Sequence, residues 1–294
     1  MKTSTLILIL AVMVFSSALI SCEPLIETNV KGSEFTIEFS DGTVLGGNDI
    51  MFYDSSAHLL FLKKDLEFKQ AVTGFNVLVN NDIIYQGTIF PCYLSSRPLS
   101  HYSISDCFFY GKNIIEFNCY PDTNDLRNDP RIIKSLVGSG LLHRGLSCSI
   151  DNIKVNSFDN YSEVVCAITI KNNDNISYYI LDPVKMGDFD FNCYTGGLSF
   201  QNVNTRVNSF LRWSVPNSDW ANLTMNDFSI LTGGSEVKYT FKSSDYHKME
   251  KGTYKAQFRF CGLKYDMSEF NLSQNDGRIW VGDVKSGMSN ILVE

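Results

Sequence analysis

Ser162-Glu163-Val164-Val165-Cys166-Ala167-Ile168-Thr169-Ile170-Lys171 is the stretch that decides the fold class. Val164, Cys166, Ile168 and Ile170 occupy every second position, the period of a strand with one face in a core. Outward from it, Ser177–Asp182, Gly197–Val203, Asn208–Val215, Phe228–Leu231, Glu236–Lys242, Gly252–Cys261, Arg278–Val281 and Ser289–Val293 read as further strands. From Cys148 onward they recur at about the spacing of an all-β sandwich. Trp280, between Ile279 and Val281, is predicted to be core. Trp213 shares a strand face with Leu211 and Val215. Trp220 lies among turn residues, Pro216-Asn217-Ser218-Asp219-Trp220-Ala221-Asn222, and is the better aromatic candidate for a glycan contact.

The other direction along the chain gives a second set of strands. Phe35, Ile37 and Phe39 alternate with polar residues, and Asp41-Gly42 closes that strand. His58–Leu62 is an apolar run. Gly74–Asn80 turns through Asn80-Asn81-Asp82 into Ile83–Gly87, a hairpin signature. Asn113–Tyr120 follows. Between these halves, Asp129 is a candidate N-cap with Pro130 at the first helical position. Ile132, Ile133, Leu136 and Val137 then give one apolar face, and Gly138 ends the helix.

That segment also carries the richest polar cluster, Asp122, Asp125, Arg127, Asp129 and Arg131, with His143 nearby. Arginine forks beside carboxylates suit an anionic or polyol ligand. The same residues equally suit helix capping with local ion pairs. A calcium loop is excluded by Leu126 and Arg127 at ligand positions. The four histidines, at 58, 101, 143 and 247, have no metal spacing, so no metal is expected. Asp188-Phe189-Asp190 is a carboxylate pair of a kind used in glycoside hydrolysis. No nucleophile elbow, phosphate loop or dinucleotide fingerprint is present, so no catalytic residue and no cofactor is assigned.

The first residues are a separate matter. Lys2 precedes an apolar run from Leu6 to Phe15, too short to cross a bilayer, and small residues lead into Leu19-Ile20-Ser21-Cys22. This stretch resembles the lipobox of bacterial lipoproteins. The resemblance implies a signal peptide over 1–21, lipid on Cys22, a tether over 22–32, and attachment to a membrane of the bacterial envelope. Glu23 and Glu27 are too little to choose between its surface and periplasmic faces. The residues Asp125-Leu126-Arg127-Asn128-Asp129-Pro130-Arg131-Ile132-Ile133 and His143-Arg144-Gly145-Leu146 resemble a group of uncharacterised envelope lipoproteins. The strand Gly252–Phe260 with Ile279-Trp280-Val281-Gly282 resembles immunoglobulin-like modules of bacterial surface proteins. There the last two long strands pair and the Trp packs on the sheet. Neither resemblance implies a chemistry, because that fold hosts many functions.

Composition narrows the partners. The chain has 294 residues and a net charge of −7, and loss of the signal with its single charge, Lys2, makes this −8. An acidic chain without a basic patch is a poor nucleic-acid binder, so none is expected. Eight cysteines leave seven if Cys22 carries lipid, an odd number without C-x-x-C spacing. Most are expected to be small buried apolar residues, with one or two bridges allowed in an exported protein. The expectation is a mainly β protein: a small antiparallel β-domain over 33–120, a linker with a short helix over 121–147, and an immunoglobulin-like β-sandwich over 148–294. Its expected role is protein or glycan contact on a lipid anchor, with a polysaccharide-acting hydrolase as the alternative.

Overall fold

The computed structural model describes residues 34–68, 72–91, 100–120, 124–185, 197–209, 224–263, 273–274 and 277–294. It is mainly β. The first sheet contains β1 (Phe35–Phe39), β2 (Val44–Leu45), β3 (Ile50–Asp54), β4 (Leu59–Leu62), β5 (Gly74–Val79), β6 (Asp82–Phe90), β7 (Tyr102–Ser105), β8 (Ile114–Cys119) and β9 (Leu142–His143). Its nine strands run β2-β1-β5-β6-β7-β8-β4-β3-β9 and curl into a half-barrel. All pairs are antiparallel except β6 with β7 and β3 with β9. Ile37, Val77, Leu60, Ile115 and Phe117 share one buried apolar cluster with Ile132 and Leu136.

Local chemistry sets its hairpins and caps. Val79 pairs with Asp82, leaving Asn80-Asn81 as a two-residue loop. Both have positive φ, 54° and 68°, as a type I′ turn requires, and asparagine tolerates that region. The helix α1 (Pro130–Gly138) starts as its sequence predicts, with the Asp129 side chain accepting from Arg131 N at 2.9 Å. Its buried stripe is narrower than the expected face. Ile132 and Leu136, four residues apart, are buried, Ile133 is half-buried, and Val137 is 55% exposed. One turn-spaced pair suffices because α1 touches the curled sheet along a single seam, at β1, β5 and β9.

The second half contains β10 (Leu146–Ser157), β11 (Tyr161–Asn172), β12 (Ser177–Leu181), β13 (Gly197–Asn202), β14 (Asn208–Ser209), β15 (Phe228–Leu231), β16 (Glu236–His247), β17 (Gly252–Cys261), β18 (Ser273–Gln274), β19 (Gly277–Ile279), β20 (Asp283–Lys285) and β21 (Ser289–Val293). They form sheets ordered β10-β11-β16, β15-β12-β19-β18 and β14-β13-β17-β20, with β21 also on β17. Val164, Cys166, Ile168 and Ile170 of β11, all 0% exposed, share one core with Tyr254, Ala256, Phe258 and Phe260 of β17. The arrangement is sandwich-like. Trp280 is 0% exposed and stacks on Phe260 at 5.7 Å, so it is core, as its neighbours predict. Gly262 permits this, since a β-carbon there would stand 2.7 Å from the indole.

Residues 34–294 form one compact unit. A third apolar cluster spans both groups of sheets, with Phe52, Leu59, Phe61, Tyr110 and Ile114 against Leu181, Phe228, Leu263, Ile279 and Val281. Cys107 is disulfide-bonded. Cys148 and Cys166 are free thiols, each pushed up to about 12 by burial, and Cys119 and Cys261 are also thiols.

Candidate functional site

The structure separates the predicted polar cluster into two local pairs. Arg127 donates from Nε to both Asp125 oxygens, at 2.9 and 3.1 Å, and from Nη2 to Oδ2 at 2.6 Å. Its remaining arm donates from Nη1 to Phe117 O at 2.7 Å. Tyr53, on β3, donates its hydroxyl to Arg127 O at 3.2 Å and stands 3.1 Å from His58 Nδ1. Burial pushes the Asp125 carboxyl up, but the Arg127 hydrogen bonds outweigh it and hold the carboxyl below its usual range. Burial, helped by the Asp125 and Asp54 carboxylates and opposed by Arg127, drives the Tyr53 phenol far above its usual range. Arg131 folds back on Asp129 in the same way, at 2.9 Å, on the exposed start of α1. The forks thus meet the carboxylates two residues before them.

His143 lies apart from both pairs, in a network that the sequence analysis does not assemble. Arg278, on β19, donates to Asp54 Oδ2 at 2.8 Å and to the Tyr178 hydroxyl at 3.1 Å. The Tyr178 hydroxyl donates to Asp174. Asp174 also accepts from Arg144 N at 2.8 Å and Gly145 N at 2.9 Å, with His143 Nδ1 at 3.5 Å. Burial raises the Asp174 carboxyl, but His143, Tyr178 and the two amides outweigh it and hold it well below the carboxylate range. Asp54 is 0% exposed and accepts from Ser56 N, Ser56 Oγ and Ala57 N at 3.0, 2.6 and 3.2 Å. The Arg278 guanidinium is stacked among Phe52, Phe61 and Tyr178, its carbon 4.4, 5.3 and 4.6 Å from their centroids. Among the described residues its Nε and Nη1 have no hydrogen-bond partner. Aromatic faces thus replace part of the water that a buried cation loses. Gly145 has φ +66°, and a β-carbon there would run into Ser56 Oγ and Asp54 Oδ1. A charge inside the apolar run Arg278-Ile279-Trp280-Val281 is the only sequence signal of this network.

Both clusters are wrapped in their own contacts. An open feature among the described residues is a groove of about 720 Å³, lined by Ile150–Ser157 of β10 and by Ser289–Leu292 and Glu294 at β21. The two sheets touch where Cys148 Sγ meets Val284 O at 3.6 Å, and the groove lies beyond that contact, from Ile150. β10 and β21 are both edge strands: among the described residues β10 pairs only with β11, and β21 only with β17. Ile150, Ile153, Val155 and Ile291 are half-buried against the sandwich core, while Asn152, Lys154, Asn290 and Leu292 are exposed. The β10 register shifts between Ile150 and Asn152, which breaks the two-residue period and hid this strand from the sequence analysis. At the far end, Phe158 and Tyr161 stack at 4.8 Å, and Phe158 is 44% exposed.

Cys22, Asp122, Asp188, Asp190, Trp213 and Trp220 lie outside the described residues. No metal-binding group of three or more His, Cys, Asp or Glu occurs among the described residues, and no helix there is long and apolar enough to cross a membrane. No protein-family model matches this chain, and no curated protein matches it.

Proposed function

We propose that this protein is a lipid-anchored component of a bacterial envelope whose C-terminal half, read as an immunoglobulin-like sandwich, is a binding module for another protein. The groove between β10 and β21 carries this reading. Two strand edges that pair on one side only among the described residues flank a seam of half-buried isoleucines. Such edges are templates for an added strand, with main-chain hydrogen bonds giving affinity and alternate pockets giving specificity. The lipobox at Leu19-Ile20-Ser21-Cys22 supports the anchor. Anchoring by several chains is strong, at about 0.8 kcal/mol per buried CH₂. The Cys107 disulfide supports export, since disulfides persist in oxidising compartments.

A photo-crosslinking residue at Asn152 or Asn290, in cells, tests the binding reading. It should capture one discrete protein, while the same residue at Val184, 72% exposed elsewhere on the surface, should not. Equal capture from all three positions would reject the groove. Absence of a protein adduct, with retention on a column of envelope glycan, would assign the groove to glycan instead. The anchor is tested by fatty-acid labelling, which should mark the wild type and not Cys22→Ala.

Asp151 and Glu294 both line the groove, which keeps the polysaccharide hydrolase as a second reading. Asp151 already accepts from Thr169 Oγ1 at 2.5 Å and Ser149 Oγ at 3.2 Å. Release of reducing ends that disappears in Asp151→Asn and Glu294→Gln would favour it.

A further inference from the structure

His101 directly precedes β7, and Cys119 ends β8. The two strands pair with Tyr102 opposite Cys119, and Tyr120 N donates to His101 O at 2.8 Å. This ladder brings the imidazole over the thiol, with Cys119 Sγ 3.4 Å from His101 Nε2. The other ring nitrogen, Nδ1, is 3.1 Å from Tyr120 O. A carbonyl only accepts, so Nδ1 carries the hydrogen. In the neutral ring Nε2 is therefore the basic nitrogen, and it faces the sulfur. Transfer of the thiol proton to Nε2 leaves both ring nitrogens hydrogen-bonded in the same positions. A nucleophile, a base within reach and a third group orienting the base are the parts of an activated thiol.

Cys119 closes the edge of the apolar cluster of the first sheet, with one cation close by. Arg127 reaches the same strand through Phe117 O at 2.7 Å, and its charge and the Cys119 sulfur act on each other. Tyr102, its phenol raised mainly by burial, interacts with both the Cys119 sulfur and Asp125, and Asp125 is paired with Arg127. Cys148 and Cys166 have thiols pushed up to about 12 by burial. Cys119 is buried too, and what sets it apart is a histidine nitrogen on its sulfur and an arginine nearby. Cys119 is 9% exposed and adjoins Tyr120, which is 50% exposed.

We propose that Cys119 is a nucleophilic thiol with His101 as its base, open to exchange with small disulfides. The Cys119 sulfur attacks one sulfur of the disulfide and forms a new S–S bond. The old S–S bond breaks, and the leaving thiolate takes the proton from His101 Nε2. The disulfide is the oxidant, one half of it leaves as a thiol, and the other half stays on the protein. In an oxidising compartment such exchange would make Cys119 a reversible modification site.

The test uses the full folded chain and cystamine, with adducts mapped by peptide mass spectrometry. The cysteamine adduct should form on Cys119 well ahead of Cys148 and Cys166. An ordinary thiol slows roughly 75-fold between pH 8 and pH 6, from its thiolate fraction. Cys119 should slow less than about tenfold over that range. His101→Asn, which keeps a donor toward Tyr120 O, should react at least tenfold more slowly with an unchanged melting temperature. If that variant does not fold, the wild-type pH profile decides alone. A rate no greater than those of Cys148 and Cys166, or the steep profile of an ordinary thiol, would overturn the proposal.

Discussion

Asp125 and Asp129 meet arginines two residues later in the chain, whereas Asp54 meets Arg278, 224 residues away. The local pairs decorate one segment, beside a strand and at the start of a helix. The distant pair joins β3 of the curled sheet to β19 of the second half, through a cation stacked on three rings. The Arg131 pair differs from the distant one in solvent as well as in span. Arg131 is 57% exposed, and its pair is screened, while Arg278 is 8% exposed and its partner 0%. Proximity in sequence therefore makes a pair visible without making it important. The distant pair joins residues that only the packing of two sheets brings together.

The largest expected effect is at Arg278. Arg278→Met leaves Asp54 buried without its cation, which costs about 3–5 kcal/mol in urea unfolding. The double variant with Asp54→Leu should recover part of that loss. A single-variant change below about 1 kcal/mol would show that the joint is not under load. Acid should erode the same joint through Asp174. Its carboxyl titrates below the unfolded value of about 3.9. Its stabilisation is therefore present above about pH 4 and declines as pH falls further. Asp174→Asn should lower stability at neutral pH and flatten the acid limb of the stability profile. An unchanged acid limb would contradict this assignment.

The local pairs should matter less. Arg127→Met removes charge-assisted hydrogen bonds from a partly buried carboxylate, about 1.5–3 kcal/mol. Asp129→Ala removes a helix cap, about 1 kcal/mol. Arg131→Ala should leave the urea midpoint where it is. If Arg131→Ala proves as harmful as Arg278→Met, the contrast between the two kinds of pair is lost.

The same contrast explains what was legible in the sequence. Strands with unbroken alternation, such as the one through Val164, Cys166, Ile168 and Ile170, are visible because the two-residue period is local. The Asn80-Asn81 turn and the Asp129-Pro130 helix start are visible for the same reason. β10 is less so, because its shifted register at Asp151 interrupts the period. β3 is a short strand without a clean period, and β7, though Tyr102 and Ile104 alternate with serines, is only four residues long, so both gain their place from neighbours. The candidate groove is a tertiary feature of two edges and has no motif. The Asp54–Arg278 joint and the Cys119–His101 pair likewise unite residues that are unremarkable in isolation.

Backbone hydrogen exchange tests the central claim about the groove most directly, by comparing the purified chain with the same chain in envelope membranes. Strand addition would protect the outward amides of Ile150–Ser157 and Ser289–Val293 in the membranes, with the amides of residues 124–131 unchanged. Identical exchange in the groove under both conditions, or new protection confined to residues 124–131, would contradict it.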